Sequence, residues 1–318
     1  MSLIDTRARI LDLKITFRCN NTCLFCVAGD KRLLFSDIPA KDIRAALAEN
    51  RGVRDTVIFT GGEPTIREDL PELVRYAREK CGYETIVIQT NGRALAYRDY
   101  AELLVGNGAN QFMVSIHGHT PAAHDFLTGR SGSFAQTAGG ISNLVAIGAT
   151  VATNTVITKS TYRNLPDIAR LIVLLGARQM QFAYPHLDGR AAVNAARIAP
   201  PMTLVIPYLL RALETAEHAG RVALTEGFPL CMLPGREGLA LETLHKKIKV
   251  IDEGGGIDDF DGHRATKLKA KGPHCPPCRH FAMCEGPWDD YPKLYGWREF
   301  IPVKSTPPPR NKRKPHSK

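Results

Sequence analysis

Six times between residues 10 and 219, a short apolar or β-branched run gives way to apolar residues at helical spacing. No other feature restricts the fold as much. Leu11, Leu13, Ile15 and Phe17 alternate with polar neighbours, the period-two signature of a strand. Asp37 then opens a helix that runs to about Asn50. A second strand over 56–60 stops at Gly61 and Gly62, and Leu70, Leu73, Val74 and Ala77 follow at helical spacing. A third strand over 84–90 stops at Asn91 and Gly92, before a helix near 97–105. The fourth, 111–116, leads through His117 and Gly118 to a helix over 133–148. Two more units pair strand 150–158 with helix 164–175, and strand 179–184 with helix 203–219. Repeated βα units imply a parallel sheet with right-handed crossovers. Six units fall short of the eight in a closed barrel, so the expected fold is α/β: an open, partial (β/α)6 TIM-like barrel. Chemistry in such sheets collects at the C-terminal ends of the strands.

The pattern changes near residue 222, where Gly and Pro thicken and charges cluster at 245–249 and at Lys267, Lys269 and Lys271. A barrel over 1–221, a small cysteine-bearing domain over 222–303 and a disordered tail over 304–318 are expected. The tail holds six Lys/Arg and no acid, and without it the net charge drops from +10 to +4. That residual excess does not point to nucleic acid, and no RNA-binding motif is present. A solubilising terminus explains the tail more simply than a contact with RNA, acidic lipid or an acidic peptide. No apolar run approaches the roughly 18 residues of a membrane span. The stretch MSLIDTRARILDLKI carries acids where a signal peptide is continuously apolar. The expected compartment is the cytoplasm, without membrane contact. At 318 residues and 44% hydrophobic the chain can build its core without disulfides. Its eight cysteines therefore point to metal or redox chemistry.

Cys19, Cys23 and Cys26 form one group just past the first strand. Three thiolates leave one position of a four-ligand site open, as at a catalytic metal, whereas a cluster that only carries electrons usually takes four. Spacing alone equally allows zinc completed by a distant ligand. The stretch Phe17-Arg18-Cys19 to Cys26, with Phe25 before the third cysteine, resembles the cluster-binding signature of the radical S-adenosylmethionine (SAM) enzymes. The resemblance continues in order. Thr60 to Pro64 looks like the family's methionine-binding turn, and 89–92 and 114–118 fall where its third and fourth strands contact SAM. It implies a [4Fe–4S] cluster on Cys19, Cys23 and Cys26, with SAM on the open iron. It also implies that Gly61, Gly62 and Glu63 receive the methionine ammonium and that Phe25 lies beside adenine. Ser115, Gln89 and Asn154 are then further SAM contacts, each of which could equally be an ordinary polar strand end.

A second group, Cys275, Cys278 and Cys284, sits in a Pro-rich loop, with Cys231 as a spare. On its own it reads as structural zinc completed by His274, His280 or Cys231. Beside the first motif it resembles the auxiliary-cluster extension of radical SAM maturases, the SPASM and shorter twitch domains. The full SPASM pattern carries a cysteine where this chain has Trp288, and no cysteine follows. The expectation is one auxiliary [4Fe–4S] cluster on Cys231, Cys275, Cys278 and Cys284, with Cys81 a structural thiol.

Three lesser candidates remain. His117, His119 and His124 could form a metal or acid–base site, though loop polarity and capping explain them as well. Tyr184, His186 and Asp188 could face substrate, and Asp188 or Glu237 could take a proton after oxidation. The expected function is reductive SAM cleavage to a 5′-deoxyadenosyl radical and hydrogen abstraction from a peptide or protein undergoing maturation. The auxiliary cluster would relay electrons, and flavodoxin or ferredoxin would supply them. Strand one starts almost at the N-terminus, so no leader-peptide-binding domain is expected, and a peptide would need a separate carrier or a C-terminal cleft. The alternatives are a radical SAM dehydrogenase or epimerase of a small metabolite, and a zinc-stabilised SAM- or RNA-binding module without radical chemistry.

Overall fold

The computed structural model describes residues 8–29, 31–244, 247–252 and 254–304. Its strands are β1 (Arg9–Thr16), β2 (Thr56–Gly61), β3 (Thr85–Thr90), β4 (Gln111–Ser115), β5 (Thr150–Val156), β6 (Gln179–Ala183), β7 (Val222–Glu226), β8 (Lys247–Asp252) and β9 (Gly255–Ile257). They form one sheet in the order β7-β6-β5-β4-β3-β2-β1-β8-β9. Every pairing is parallel except β8 with β9. This is the expected partial barrel, with strands added at both sides. The sheet runs through the boundary expected near residue 222, because β7 pairs with β6 and β8 returns to pair with β1.

Side-chain alternation explains the layering. Leu11, Leu13 and Ile15 are fully buried, while Asp12 and Lys14 between them point to the opposite face. The helix Leu70–Glu79 buries Leu70, Leu73, Val74 and Ala77, one stripe of an amphipathic helix. The other covering helices, Ala40–Asn50, Arg98–Gly106, Ser133–Ala146, Leu165–Leu174 and Met202–His218, fall within a few residues of the periodicity. The helix Pro121–Thr128 was not expected. Thr120 caps its start by accepting the Ala123 amide, and Gly129 closes it in the left-handed conformation.

Beyond β7 the chain is turn-rich. Cys231 lies on a single 3₁₀ turn, Leu230–Met232, and Cys275 to Cys284 form overlapping turns. Of the expected tail only Lys304 is among the described residues, and His245 and Lys246 of the charge cluster also lie outside them. Among the described residues, no helix is long and apolar enough to cross a membrane.

Candidate functional site

The C-terminal ends of the strands open on a cavity of about 380 Å³. Cys19, Cys23, Cys26 and Phe25 line it, with Gly61 and Gly62 from β2, Gln89 from β3, Ser115 from β4 and Asn154 from β5. One rim therefore collects residues from five consecutive strand exits, as the βα pattern requires.

Tight backbone contacts hold this rim. The Gly62 amide donates to the Thr16 carbonyl at 2.7 Å, and the Glu63 amide to the Arg18 carbonyl at 2.9 Å. A Cβ on Gly61 would lie 2.1 Å from the Thr16 oxygen, and one on Gly62 2.2 Å from that of Arg18. Only glycine fits either position. The cluster loop is also tied to the unexpected helix, since the Thr22 and Leu24 amides donate to the Thr128 and Leu127 carbonyls. Phe25 packs with Leu127, Ala191 and Ile198. Arg93 braces the loop from β3, donating to the Asn20 carbonyl at 2.6 Å and to Asn21 Oδ1 at 3.0 Å.

Glu63 is fully buried and is not among the residues lining the cavity. Its carboxylate accepts from the Thr65 amide and hydroxyl, the Thr90 hydroxyl and the Asn91 amide. Burial nonetheless pushes its carboxyl above the usual range. Three of these four bonds fall on Oε1 and one on Oε2, so the carboxylate ties the turn to the exit of β3. Asn154 differs, because its Oδ1 is buried in the cavity wall without a hydrogen-bond partner. An orphaned acceptor there fits a hydroxyl or amine of a bound cofactor. Burial raises the Cys19 and Cys23 thiols, and the Asn21 amide points at Cys19 Sγ from 3.4 Å. Clustered thiols faced by an amide suit an iron–sulfur cluster.

The other sequence candidates divide. Tyr184 lines the cavity, but its buried hydroxyl donates to the Pro200 carbonyl at 2.7 Å. His186 lines it as well. Asp188 does not, and its Oδ1 accepts the Gly189 amide. Glu237 pairs with Arg279 and His280, also away from the cavity. Neither Asp188 nor Glu237 can serve as the expected base there. His117 lines the cavity and is edge-on to Phe25 at 4.5 Å. Its Nδ1 accepts the Val156 amide, and His124 Nδ1 accepts the His117 amide. Burial holds His117 well below the ordinary imidazole range, and His124 falls to about 4. The pair is neutral and structural, and His119 is not among the lining residues. Sequence reading missed Glu226, at the end of β7, as part of this wall, and it noticed Trp288 only as a missing cysteine.

A second, smaller cavity is lined by Cys231, Cys275, Cys278 and Cys284 together. Burial pushes the Cys231 thiol up to about 12, with Cys284, Cys278 and Cys275 adding to the rise. Backbone amides of Leu230 and Gly286 point at Cys284 Sγ, and that of Gly272 at Cys275 Sγ, from 3.3–3.4 Å. Four convergent thiols with such donors suit a fully ligated iron–sulfur cluster. Cys81 enters neither cavity and packs against the core.

The sequence profile of the radical SAM superfamily matches residues 13–172. The chain is 35% identical over 160 residues to Fe-coproporphyrin III synthase of Methanosarcina barkeri, covering 50% of this chain and 39% of that one. It is 31% identical over 195 residues to PqqA peptide cyclase of Ruegeria pomeroyi, covering 59% and 50%. The chain thus spans about half the length of the curated relatives it matches. The solved structure of native anSMEcpe with bound AdoMet and Cp18Cys peptide superposes with a TM-score of 0.64 at 15% identity, covering 88% of each chain. That likeness is one of fold, and it extends through the cysteine-rich C-terminal region.

Proposed function

Because the chain belongs to the radical SAM superfamily, whose profile matches half of it, we propose that Cys19, Cys23 and Cys26 hold a [4Fe–4S] cluster and that the adjoining cavity receives SAM. Gly61 and Gly62 leave backbone space for the methionine end, while Ser115, Gln89 and Asn154 face the nucleoside. Bound there, the two cofactors would supply one-electron SAM cleavage and hydrogen abstraction from substrate. The enzyme is of radical SAM type; its substrate and the second cluster are part of this proposal. Cys231, Cys275, Cys278 and Cys284 hold the auxiliary [4Fe–4S] cluster, which supplies a one-electron acceptor.

The observation that carries this reading is how two chain segments serve both cavities. Glu226 and Trp288 line the first, and Cys231 and Cys284 line the second. Trp288 lies four positions after Cys284, a span of at most about 14 Å. An electron leaving the first cavity therefore has a short path to the second.

A peptide is the substrate class we favour. Among the described residues lining the first cavity, none is Lys or Arg. A triphosphate or several carboxylates would call for such cations. The solved neighbour with a peptide beside AdoMet shares the fold over most of its length. The metabolite reading is favoured by sequence identity to enzymes named for small-molecule substrates, Fe-coproporphyrin III synthase at 35% and probable GTP 3',8-cyclases at 32–33%, each match covering 50–59% of the chain.

Reconstitution under anaerobic conditions tests the proposal. Dithionite-dependent 5′-deoxyadenosine is expected from the wild type, stimulated by a peptide and not by GTP or a coproporphyrin. Cys231→Ala is expected to lower the iron content toward about four per chain while keeping deoxyadenosine formation. Unchanged iron in that variant would remove Cys231 from the ligand set.

A further inference from the structure

Deepening the reading above, and resting on it, we propose that His186 accepts the proton released when the substrate radical is oxidised, with Asp290 and Trp288 as its positioning residues. The target carbon then carries a hydroxyl, amine or amide N–H.

Few groups on the cavity wall can take a proton. Among the described lining residues outside the cluster loop, those with a titratable side chain are His117, Tyr184, His186 and Glu226. His117 is sealed against the Val156 amide, and the Tyr184 hydroxyl is committed to Pro200. Glu226 accepts from Gln181 Nε2 at 2.7 Å. His186 differs in how it is held. Its ring stacks on the Trp288 indole at 4.6 Å, tilted by 21°. The Lys269 ammonium lies over that indole at 3.9 Å, and the indole Nε1 donates to the Tyr184 carbonyl at 3.2 Å. Lys269 is itself buried against Glu242 at 2.8 Å. The indole is therefore held by Lys269 and by the Tyr184 carbonyl, and it fixes the imidazole in turn.

The carboxylate of Asp290 supplies the other constraint. Its Oδ2 lies 3.8 Å from His186 Nε2 and accepts the Leu187 amide at 2.7 Å. Its Oδ1 is buried with no hydrogen-bond partner. Such a carboxylate gains when a positive charge forms beside it, and an imidazolium is that charge. Burial pushes the Asp290 carboxyl up, the strain that the imidazolium relieves.

The target C–H bond breaks homolytically, and the hydrogen atom goes to the deoxyadenosyl carbon. The carbon radical left behind gives one electron to a one-electron acceptor of the iron–sulfur class. The proton on the neighbouring oxygen or nitrogen moves to His186 as the C=O or C=N bond forms. The substrate loses two hydrogens and two electrons in all.

His186→Phe keeps the stack on Trp288 and removes the acceptor. Wild type and variant would be given SAM, dithionite and decapeptides that each carry one Ser, Thr or Lys among Ala and Gly. In the variant, the ratio of peptide lighter by two hydrogens to deoxyadenosine should fall at least about a hundredfold. An unchanged ratio of product to deoxyadenosine would overturn the proposal, whereas a wild type that makes no deoxyadenosine would overturn the reading beneath it.

A second variant tests the positioning role of Asp290. In Asp290→Asn the ratio of peptide lighter by two hydrogens to deoxyadenosine should fall at least about tenfold, and Asp290→Glu should recover most of it. An unchanged ratio in Asp290→Asn would remove Asp290 from the proposal.

Discussion

Glu63 takes four hydrogen bonds from Thr65, Thr90 and Asn91, so one carboxylate ties the exits of β2 and β3 together. Its place in the Gly-Gly-Glu-Pro turn was legible, but its task was not, because a sequence does not say which way a carboxylate points. Asn154 went the other way, from an even choice at a strand end to the wall residue with an orphaned acceptor. Asp12 shows what an unmatched carboxyl does elsewhere. It sits on β1 with Oδ1 unpartnered, and burial pushes it up to about 6 against the pull of Lys14, with Asp252 adding to the rise. The folded chain holds this proton more tightly than the unfolded one, so stability falls as pH rises from about 4 through about 6. Asp12→Asn should remove that slope and gain on the order of 2 kcal/mol at pH 7. Urea titrations of wild type and variant between about pH 4 and 8 would check it, and a difference that does not grow with pH would count against it.

At the scale of elements, the strands were readable because parallel strands with both faces covered are β-branched, short and stopped by Gly or Asn. The helix Pro121–Thr128 was missed because eight residues with a single strong apolar pair carry little periodicity. Its markers were local, Thr120 before Pro121 and Gly129 after. The exit of β7 was the larger surprise. Gly227 has φ +84°, and a Cβ there would lie 2.6 Å from Trp288 Nε1, so the chain passes directly under the indole. Its amide donates to Glu242, whose carboxyl burial would raise but the Lys269 ammonium holds below the usual range. Removing the cation leaves a buried charge without its partner. Lys269→Ala should cost about 3–5 kcal/mol and blue- or red-shift the fluorescence of Trp288. A loss below about 1 kcal/mol, typical of an exposed pair, would contradict that view.

For the whole molecule, the cysteines divide into three, four and one. Two of these sets were legible from spacing, since ligands that share a metal come in short loops. Cys231 was legible only by count, because a partner 44 residues away leaves no local pattern; the fold brings it in by placing β7 beside β6 and turning at Leu230–Met232. Trp288, where an auxiliary-domain pattern would continue with cysteine, instead walls the first cavity. The proposal of one closed cluster behind one open cluster rests on that arrangement. The most direct measurement is iron and zinc content after anaerobic reconstitution of the wild type and of Cys19→Ala/Cys23→Ala/Cys26→Ala. About eight irons per chain in the first and about four in the second, with no zinc in either, is the expected result. Stoichiometric zinc in the wild type, or a variant that binds no iron, would contradict it.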